Sequence, residues 1–216
     1  MSVPVKIYCT DPTPRHEYIF SLFFEQLLGS TYVYVESAVN AHLNYSTELS
    51  ATLSCIPHGL LSETSLRESL QEQIEFKCWG GTHGFFHTGD GAIPFDIFSA
   101  AFYLVSRYEE WLPYEADAHD RFPAEASVLT QNNLLDEPLV NQWAIVLERL
   151  LLENNPELVL TQPTFSYLST IDIDQAWKYK NKGFVRNTLG ACKDLLNGKW
   201  TDVKERLQVL LGSAPD

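Results

Sequence analysis

The sequence predicts an α/β protein whose first and larger part is a mixed-sheet α/β sandwich. Three observations predict it. Strand-like, helical and strand-like patterns follow one another within the first 36 residues. Two long amphipathic helical patterns come later, and the charge balance changes sign near residue 170. With 216 residues, 45% of them hydrophobic, the chain can bury a substantial core.

The first elements resemble a βαβ unit. A strand pattern covers residues 3–9 (VPVKIYC), and a helix follows whose apolar face runs from Ile19 to Leu27 and which ends at Gly29. A second strand pattern covers residues 31–36 (TYVYVE). The position of these strands in the sheet is left open. Further strands are predicted at residues 51–56 and 75–79.

Two helices are predicted in the second half of this part. The first covers residues 94–111, with Pro94 at its start and Asp96 in its first turn. The second covers residues 138–154, with Asp136 as its N-cap. Each apolar face is interpreted as core: Ile97, Ala101, Leu104, Val105, Tyr108 and Trp111 in the first helix, and Val140, Trp143, Ala144, Leu147, Leu150 and Leu151 in the second.

Residues 112–137 fit neither helix nor strand periodicity and form a candidate binding loop. Loops of this length in compact domains are often functional. Its candidate polar residues are His119, Asp120 and Arg121, and aromatic residues that could stack on a sugar are Trp111, Tyr114 and Phe122. A solvated surface loop braced by a local Asp–Arg pair is the simpler interpretation, and the sequence favours it.

Histidine and cysteine patterns give no clear metal or redox site. His83 and His87 have the spacing of a helical metal pair, but they lie among five glycines, which favour a hairpin or turn. The four cysteines, Cys9, Cys55, Cys78 and Cys192, form no C-x-x-C pair, and we expect free, structural thiols.

Net charge and hydropathy limit the kinds of molecule and membrane with which the chain can interact. The net charge of −13 repels phosphate backbones and anionic lipids, so no nucleic-acid partner is expected. No apolar run reaches the roughly 18 residues of a membrane span, and the first residues (MSVPVKIYC) lack signal-peptide features. We therefore expect a cytoplasmic protein without a membrane span. Its oligomeric state is left open.

A domain boundary is predicted near residue 162. Residues 1–170 hold 7 basic and 22 acidic residues, whereas residues 171–216 hold 8 basic and 6 acidic residues. Pro156 and Pro163 bracket a short connector at the end of the last helical pattern. The predicted domains are an α/β accessory domain, residues 1–162, and a smaller unit, residues 163–216.

The stretch STIDIDQAW, residues 169–177, places two carboxylates in an apolar, β-branched run. On a strand, Asp172 and Asp174 would point to the same face and repel each other unless a cation lay between them. A strand over residues 166–174 could present them to a metal ion or to a neighbouring Lys or Arg.

This D-x-D strand and the basic amphipathic segment after it resemble the first motif of the NodB-type polysaccharide deacetylases, the family 4 carbohydrate esterases. The upstream runs PFDIFSAAFYLVSRYEEW, DRFP and LLDEPLVNQW resemble an uncharacterised N-terminal domain found before such deacetylases in bacterial, especially Bacteroidetes-type, proteins. The resemblance implies that Asp172 is the general base and Asp174 a ligand of a divalent metal, Zn or Co. It also implies a polysaccharide or N-acetyl sugar substrate.

The resemblance is incomplete, because the family takes two further metal ligands from a later H-x-x-x-H motif. The last histidine of this chain is His119, and 42 residues after Asp174 are too few for a (β/α) barrel. We therefore expect an accessory domain followed by the first strand and helix of an incomplete barrel. This chain alone would be inactive and would bind no metal tightly. A glycan- or protein-binding module and a purely structural domain remain alternatives.

Overall fold

The protein is mixed α/β with two small sheets and several helices, as seen in a computed structural model that describes residues 3–48, 53–161, 164–172 and 176–215. It divides into two compact units, Met1–Thr164 and Phe165–Asp216. The first unit contains both sheets and the main hydrophobic core.

The larger sheet consists of three parallel strands, β1 (Val5–Cys9), β2 (Tyr32–Tyr34) and β3 (Leu43–Tyr45), in the order β2-β1-β3. The predicted βαβ unit is confirmed, since β1 and β2 pair in parallel with Val5 opposite Tyr32. In the predicted strand 51–56, residues 51–52 lie outside the described residues. Ser54 and Cys55 make only single bridges, to Asn44 and Ile93.

Helix α1 (Pro14–Phe20) follows β1 and continues directly into a π-helical segment, Ser21–Leu27. Thr13 caps it reciprocally with His16. The segment ends, as predicted, at Gly29, whose φ of +59° favours a residue without a Cβ. Phe20 packs edge-to-face on Tyr45 of β3, with ring centroids 5.5 Å apart, so the helix covers the sheet.

The second sheet is a hairpin of β4 (Lys77–Trp79) and β5 (Thr82–Gly84), paired antiparallel. Its turn is formed by Gly80 and Gly81, with φ of +60° and +90°. The glycine-rich stretch around His83 therefore forms the hairpin that its composition favoured. Single turns of 3₁₀-helix or slightly longer 3₁₀ segments occur at Ala38–Asn40, Leu60–Ser62, Glu68–Gln73, Tyr108–Trp111 and Ala124–Ala126.

The helix predicted over residues 94–111 is wrong in length. Helix α2 (Ile97–Val105) ends before Arg107, whose left-handed backbone (φ +52°) turns the chain into a 3₁₀ segment. The change of direction removes Trp111 from the predicted core face, and it is 70% exposed. Val105, the last residue of α2, is 37% exposed and also lies outside the core. Asp96 is the N-cap rather than a first-turn residue.

Two further helices complete the first unit, α3 (Val128–Gln131) and α4 (Leu139–Asn154). The N-cap of α4 is Pro138, so the predicted cap at Asp136 is wrong: the helical bonds begin with Gln142 N donating to the Pro138 carbonyl, two residues later. Trp143 is fully buried, and its indole N–H donates to the His83 carbonyl at 2.7 Å. This bond ties α4 to β5.

The second unit contains helices α5 (Phe184–Leu196) and α6 (Trp200–Leu210). Its small centre contains Tyr179, with the Arg206 guanidinium 4.6 Å from the ring centroid, and the ion pair between Arg206 and Asp194 at 2.6 Å. The first helix of the amphipathic segment is thus present as α5.

The strand predicted over residues 166–174 is wrong for its described part. Residues 164–172 lie in neither helix nor strand, and Ile173–Gln175 lie outside the described residues. A strand requires a partner strand for its backbone N–H and C=O groups, and no described backbone bond joins 164–172 to a neighbour. Apolar, β-branched sequence alone does not supply that partner.

Candidate functional site

The candidate site is an open groove in the first unit, with a volume of about 670 Å³. A groove of this size can hold a ligand of two or three sugar rings, since small-molecule sites span roughly 300–1,000 Å³. It lies where the chain leaves α2 and runs through the long loop toward α3. Its lining residues are Arg107, Glu110, Tyr114, Asp117, Asp120, Arg121, Phe122, Pro123, Ala124 and Glu125.

A tight turn from Asp117 to Arg121 shapes one side of the groove. The Asp117 carboxylate accepts backbone N–H bonds from His119 at 2.8 Å and Arg121 at 3.0 Å. Its second oxygen accepts hydrogen bonds from Nε and Nη2 of Arg121, at 3.1 and 2.9 Å. The hydrogen bond from the Arg121 side chain is the main reason that the pKa of Asp117 is lowered. The turn is braced by an ion pair in which two guanidinium nitrogens donate to one carboxylate oxygen.

The ion pair bears on whether residues 112–137 form a binding loop or a surface loop braced by an Asp–Arg pair. A local Asp–Arg pair does support the loop, but the acid is Asp117, four residues before Arg121, and Asp120 instead occupies the left-handed turn position with φ of +60°. Asp120 and Arg121 both line the groove, so the structure brings these two candidate residues together.

Aromatic side chains supply the apolar surface of the groove. Tyr114 and Phe122 form an edge-to-face pair with ring centroids 5.0 Å apart, which fixes both rings across the base of the loop. Tyr114 remains 39% exposed. Trp111 does not line the groove; it is exposed on the 3₁₀ segment just before the loop.

The charges of the groove fall into paired and unpaired groups. Arg107 is paired with Glu110, to which its Nε donates at 2.6 Å, and Arg121 is paired with Asp117. Within the part of the chain that the structure describes, the carboxylates of Asp120 and Glu125 have no hydrogen-bond or ion-pair partner. The groove therefore offers two free acceptor groups beside an aromatic pair.

Behind the groove, a side chain connects the 3₁₀ segment to α3. Glu109 Oε2 accepts the backbone N–H of Val128 at 3.0 Å, and Val128 is buried in the core. A carboxylate at the first residue of a helix also compensates its unsatisfied N–H groups. The loop is thus held at both ends while its middle remains open to solvent.

The two aspartates of the D-x-D stretch are placed differently by the structure. Asp172 is exposed in the segment 164–172, which has no secondary structure, and it belongs to the second unit. Asp174 lies outside the described residues. Asp172, Asp120 and Arg121 are not brought into one site within either unit.

The described side chains do not fit the divalent metal that the resemblance implies. Among residues 3–48, 53–161, 164–172 and 176–215, no group of three or more His, Cys, Asp or Glu side chains could hold a metal ion. No catalytic step is therefore assigned to a metal at the described residues.

The model of a protein family of unknown function, DUF7033, matches residues 5–156 of the chain. The chain belongs to the DUF7033 family. The match covers every residue that lines the groove and ends before Asp172. No curated protein and no solved structure matches the chain significantly.

Sequence reasoning missed four charged residues of the site, Arg107, Glu110, Asp117 and Glu125, together with Pro123 and Ala124. The spacing of Asp117 and Arg121, four apart in an aperiodic segment, was a usable signal for a braced turn. The left-handed conformation of Arg107 had no comparable signal, because Arg is an ordinary helix residue and the sequence pattern continued through it.

Within the part that the structure describes, no helix is long and apolar enough to cross a membrane.

Proposed function

We propose that the first unit is a non-catalytic carbohydrate-binding module that precedes a metal-dependent deacetylase acting on N-acetyl sugars. One observation carries the binding role: an open groove in which a fixed aromatic pair, Tyr114 and Phe122, adjoins the unpaired carboxylates of Asp120 and Glu125. The apolar CH faces of sugars stack on aromatic rings, and carboxylates accept their hydroxyl protons.

The charges of the groove favour a neutral glycan over an anionic one. Its two arginines are neutralised by Glu110 and Asp117, and the remaining carboxylates give the groove a net negative charge. An anionic polysaccharide would meet this charge without a free cation from the groove lining. The proposed ligand is therefore an uncharged oligosaccharide, such as one built from N-acetylglucosamine.

The deacetylase part of the proposal rests on the D-x-D stretch and its resemblance to NodB-type enzymes. By that resemblance Asp172 would be the proton acceptor and Asp174 a metal ligand. The exposed position of Asp172 leaves its carboxylate accessible. The proposal assigns no turnover to this chain, because its described residues do not fit a metal centre.

Calorimetric titration with N-acetylglucosamine oligomers tests the binding role. We expect saturable binding by the 216-residue chain. Tyr114→Ala should weaken it about tenfold, because it removes the apolar stacking surface and the edge-to-face contact with Phe122, together worth on the order of 1–2 kcal/mol. Asp120→Asn should weaken it several-fold. The matched control is Tyr18→Ala, which removes another half-exposed tyrosine, 53% exposed on α1 and away from the groove lining.

Two results would reject the binding role. No response to any neutral oligosaccharide would favour a structural domain, and equal loss in Tyr114→Ala and Tyr18→Ala would move the ligand elsewhere.

Acetate release and metal titration test the deacetylase part separately. We expect the chain to release no acetate from N-acetylglucosamine oligomers and to show only weak binding of Zn²⁺ or Co²⁺, because two carboxylates leave most coordination positions to water. Tight stoichiometric binding that is lost in His83→Ala would contradict the assignment of Asp174. It would place a metal site at the β4–β5 hairpin instead.

A further inference from the structure

A small crevice lies at the carboxyl ends of the parallel strands, separate from the groove. In the order β2-β1-β3, the chain leaves β1 toward one neighbour and later returns to its other side. Such a change of direction opens a crevice outside the carboxyl ends of the two strands, where open α/β sheets bind ligands. Here Cys9 ends β1 and Tyr45 ends β3, and both line a cavity of about 170 Å³.

The most informative side chain in this crevice is His16 of α1, which is only 2% exposed and lines the cavity. Its Nδ1 accepts the backbone N–H of Thr13 at 3.0 Å. An amide N–H can only donate, so this bond assigns the ring proton to Nε2. Among the described residues, Nε2 has no hydrogen-bond partner. Nε2 is not among the fully enclosed, unpartnered polar atoms of the described residues, so it remains accessible to solvent although the residue as a whole is buried.

The neighbouring polar groups are mostly satisfied, which singles out His16. Tyr45 donates its hydroxyl proton to Asp96 at 2.9 Å. Ser46 Oγ donates to Asn44 Oδ1 at 2.7 Å and accepts the Glu48 N–H at 3.1 Å. The remaining hydroxyls at the rim belong to Thr10, Thr47 and Ser62, which are exposed.

The electrostatics of the crevice favour an uncharged ligand. No Lys or Arg lines it. Burial, with smaller contributions from Asp11 and Asp96, raises the pKa of Cys9 to about 12, so the thiol is protonated and its surroundings are negative. Burial lowers the pKa of His16 to about 4, so the imidazole is neutral at pH 7. An anion would therefore meet no positive charge.

We propose that this crevice binds one uncharged, hydroxyl-bearing molecule no larger than a single sugar ring, with His16 Nε2–H donating to a ligand oxygen. A volume of about 170 Å³ corresponds to only five or six waters at about 30 Å³ each. This fits a monosaccharide or smaller polyol and excludes the oligosaccharide proposed for the groove. The inference does not depend on that proposal, because the two cavities share no lining residue.

Nuclear magnetic resonance of the histidine-labelled chain tests the crevice directly. The probes are N-acetylglucosamine, glucose, glycerol and inorganic phosphate. We expect a saturable shift of the His16 ring signals with at least one uncharged probe, and none with phosphate. His87, half-exposed near the β4–β5 hairpin, is the internal control and should not move. A His16 signal unchanged at tens of millimolar of every uncharged probe, or moved by phosphate alone, would overturn the proposal.

Two variants of His16 distinguish the role of its Nε2–H donor from the role of Nδ1, which accepts the Thr13 N–H at the start of α1. In His16→Asn the side-chain oxygen can still accept the Thr13 N–H, but the Nε2 donor is gone. In His16→Gln an amide N–H can occupy the position of Nε2, but the cap acceptor is lost. Binding, followed by calorimetry, should fall at least tenfold in His16→Asn and by less in His16→Gln.

Equal affinities in wild type and His16→Asn would overturn the assignment of the donor. Tyr114→Ala, which removes an aromatic ring of the groove, should leave the His16 response unchanged, so failure of one site is distinguishable from failure of the other.

Discussion

At the residue scale, the buried carboxylate of Asp96 connects three parts of the first unit. It accepts the Tyr45 hydroxyl of β3 at 2.9 Å, the His58 backbone N–H at 2.7 Å and the Ser99 N–H of α2 at 3.0 Å. Burial raises its pKa despite these bonds. The carboxylate therefore acts as the N-cap of α2 and as the link between α2, the sheet and the segment before Leu60.

Asp96→Ala should lower the free energy of unfolding by about 3 kcal/mol, because it leaves two buried donors and one half-buried donor without an acceptor. Asp96→Asn keeps one acceptor oxygen and should lose less. Tyr45→Phe removes only one of the three bonds and should cost about 1 kcal/mol. Urea denaturation measures all three. Equal losses in Asp96→Ala and Tyr45→Phe would show that the two backbone bonds contribute nothing.

His16 should make the stability of the first unit depend on pH. Its pKa is about 4 in the folded protein and about 6.5 when unfolded. Between these values the unfolded chain binds more protons, so the free energy of unfolding falls as the pH decreases from about 6.5 toward 4. Since one pKa unit corresponds to about 1.4 kcal/mol, the loss from His16 is at most about 3–4 kcal/mol, and screening by water in the crevice makes it smaller.

The contribution of His16 is measured as a difference, because burial also lowers the pKa values of His42 and His58. Urea denaturation of wild type and His16→Asn between pH 7 and pH 4.5 should give curves that diverge in acid, with wild type losing more stability. Parallel curves would mean that His16 titrates normally in the folded protein.

The roles of single residues were predicted from sequence where the residue type determines the local backbone conformation. They were missed where the role depends on contacts made in the folded core. The turn glycines of the β4–β5 hairpin were recognised because positive φ favours glycine. His16 was not singled out, because an isolated histidine in an amphipathic helix carries no signal of its Thr13 bond or of the crevice. Asp96 was placed in the first turn of a helix starting at Pro94, although it is the N-cap.

At the element scale, the end of the α1 π-helical extension depends on Gly29. With φ of +59°, Gly29 closes the helical segment, and the Ser30 N–H donates back to the Phe24 carbonyl at 2.8 Å. A Cβ at this position would overlap the backbone carbonyl of Thr161. The glycine is required both for its backbone conformation and for the close approach of residues 158–161.

Gly29→Ala should therefore destabilise the first unit by at least about 3 kcal/mol, the sum of a left-handed alanine and a steric clash with backbone. Gly81→Ala is the control: its φ is also positive, +90°, but no atom lies within 4 Å of the added Cβ. We expect it to cost only about 1 kcal/mol. Thermal and urea unfolding check the pair, and similar losses would exclude the clash as the cause.

Helices and strands could be predicted from sequence where the spacing of apolar residues follows the face that is buried. The parallel pair β1–β2 and helix α4 follow from their patterns because the buried faces are regular. The helix at 94–111 was predicted too long because Tyr108 continues the apolar pattern, although it lies on the 3₁₀ segment after the turn at Arg107. There it is buried against Tyr103 of α2. The strand at 166–174 failed because strand formation depends on a partner that no local pattern encodes.

At the scale of the whole molecule, the described hydrophobic core belongs to the first unit. The fully and partly buried side chains of the main cluster lie between Val5 and Leu160. The second unit has a polar and aromatic centre of its own around Tyr179, Asn187 and Arg206. Each unit thus contains the contacts that define its own fold, and the change in charge balance predicted from sequence coincides with a change in the kind of packing.

Truncation after Thr164 should leave the main thermal transition of the first unit within about 2 °C of the full chain, because no described member of its core cluster lies beyond Leu160. Truncation after Asn155 is the control, since it removes the buried Leu158 and the Thr161 carbonyl packed against Gly29. Losing a buried leucine costs about 2 kcal/mol or more, which corresponds to a decrease of roughly 4–8 °C for a domain of this size. Calorimetry of the three proteins measures these transition temperatures. A large decrease already after truncation at Thr164 would mean that residues 165–216 complete the core of the first unit. An unchanged transition temperature after truncation at Asn155 would mean that the segment around Leu158 contributes nothing to that core.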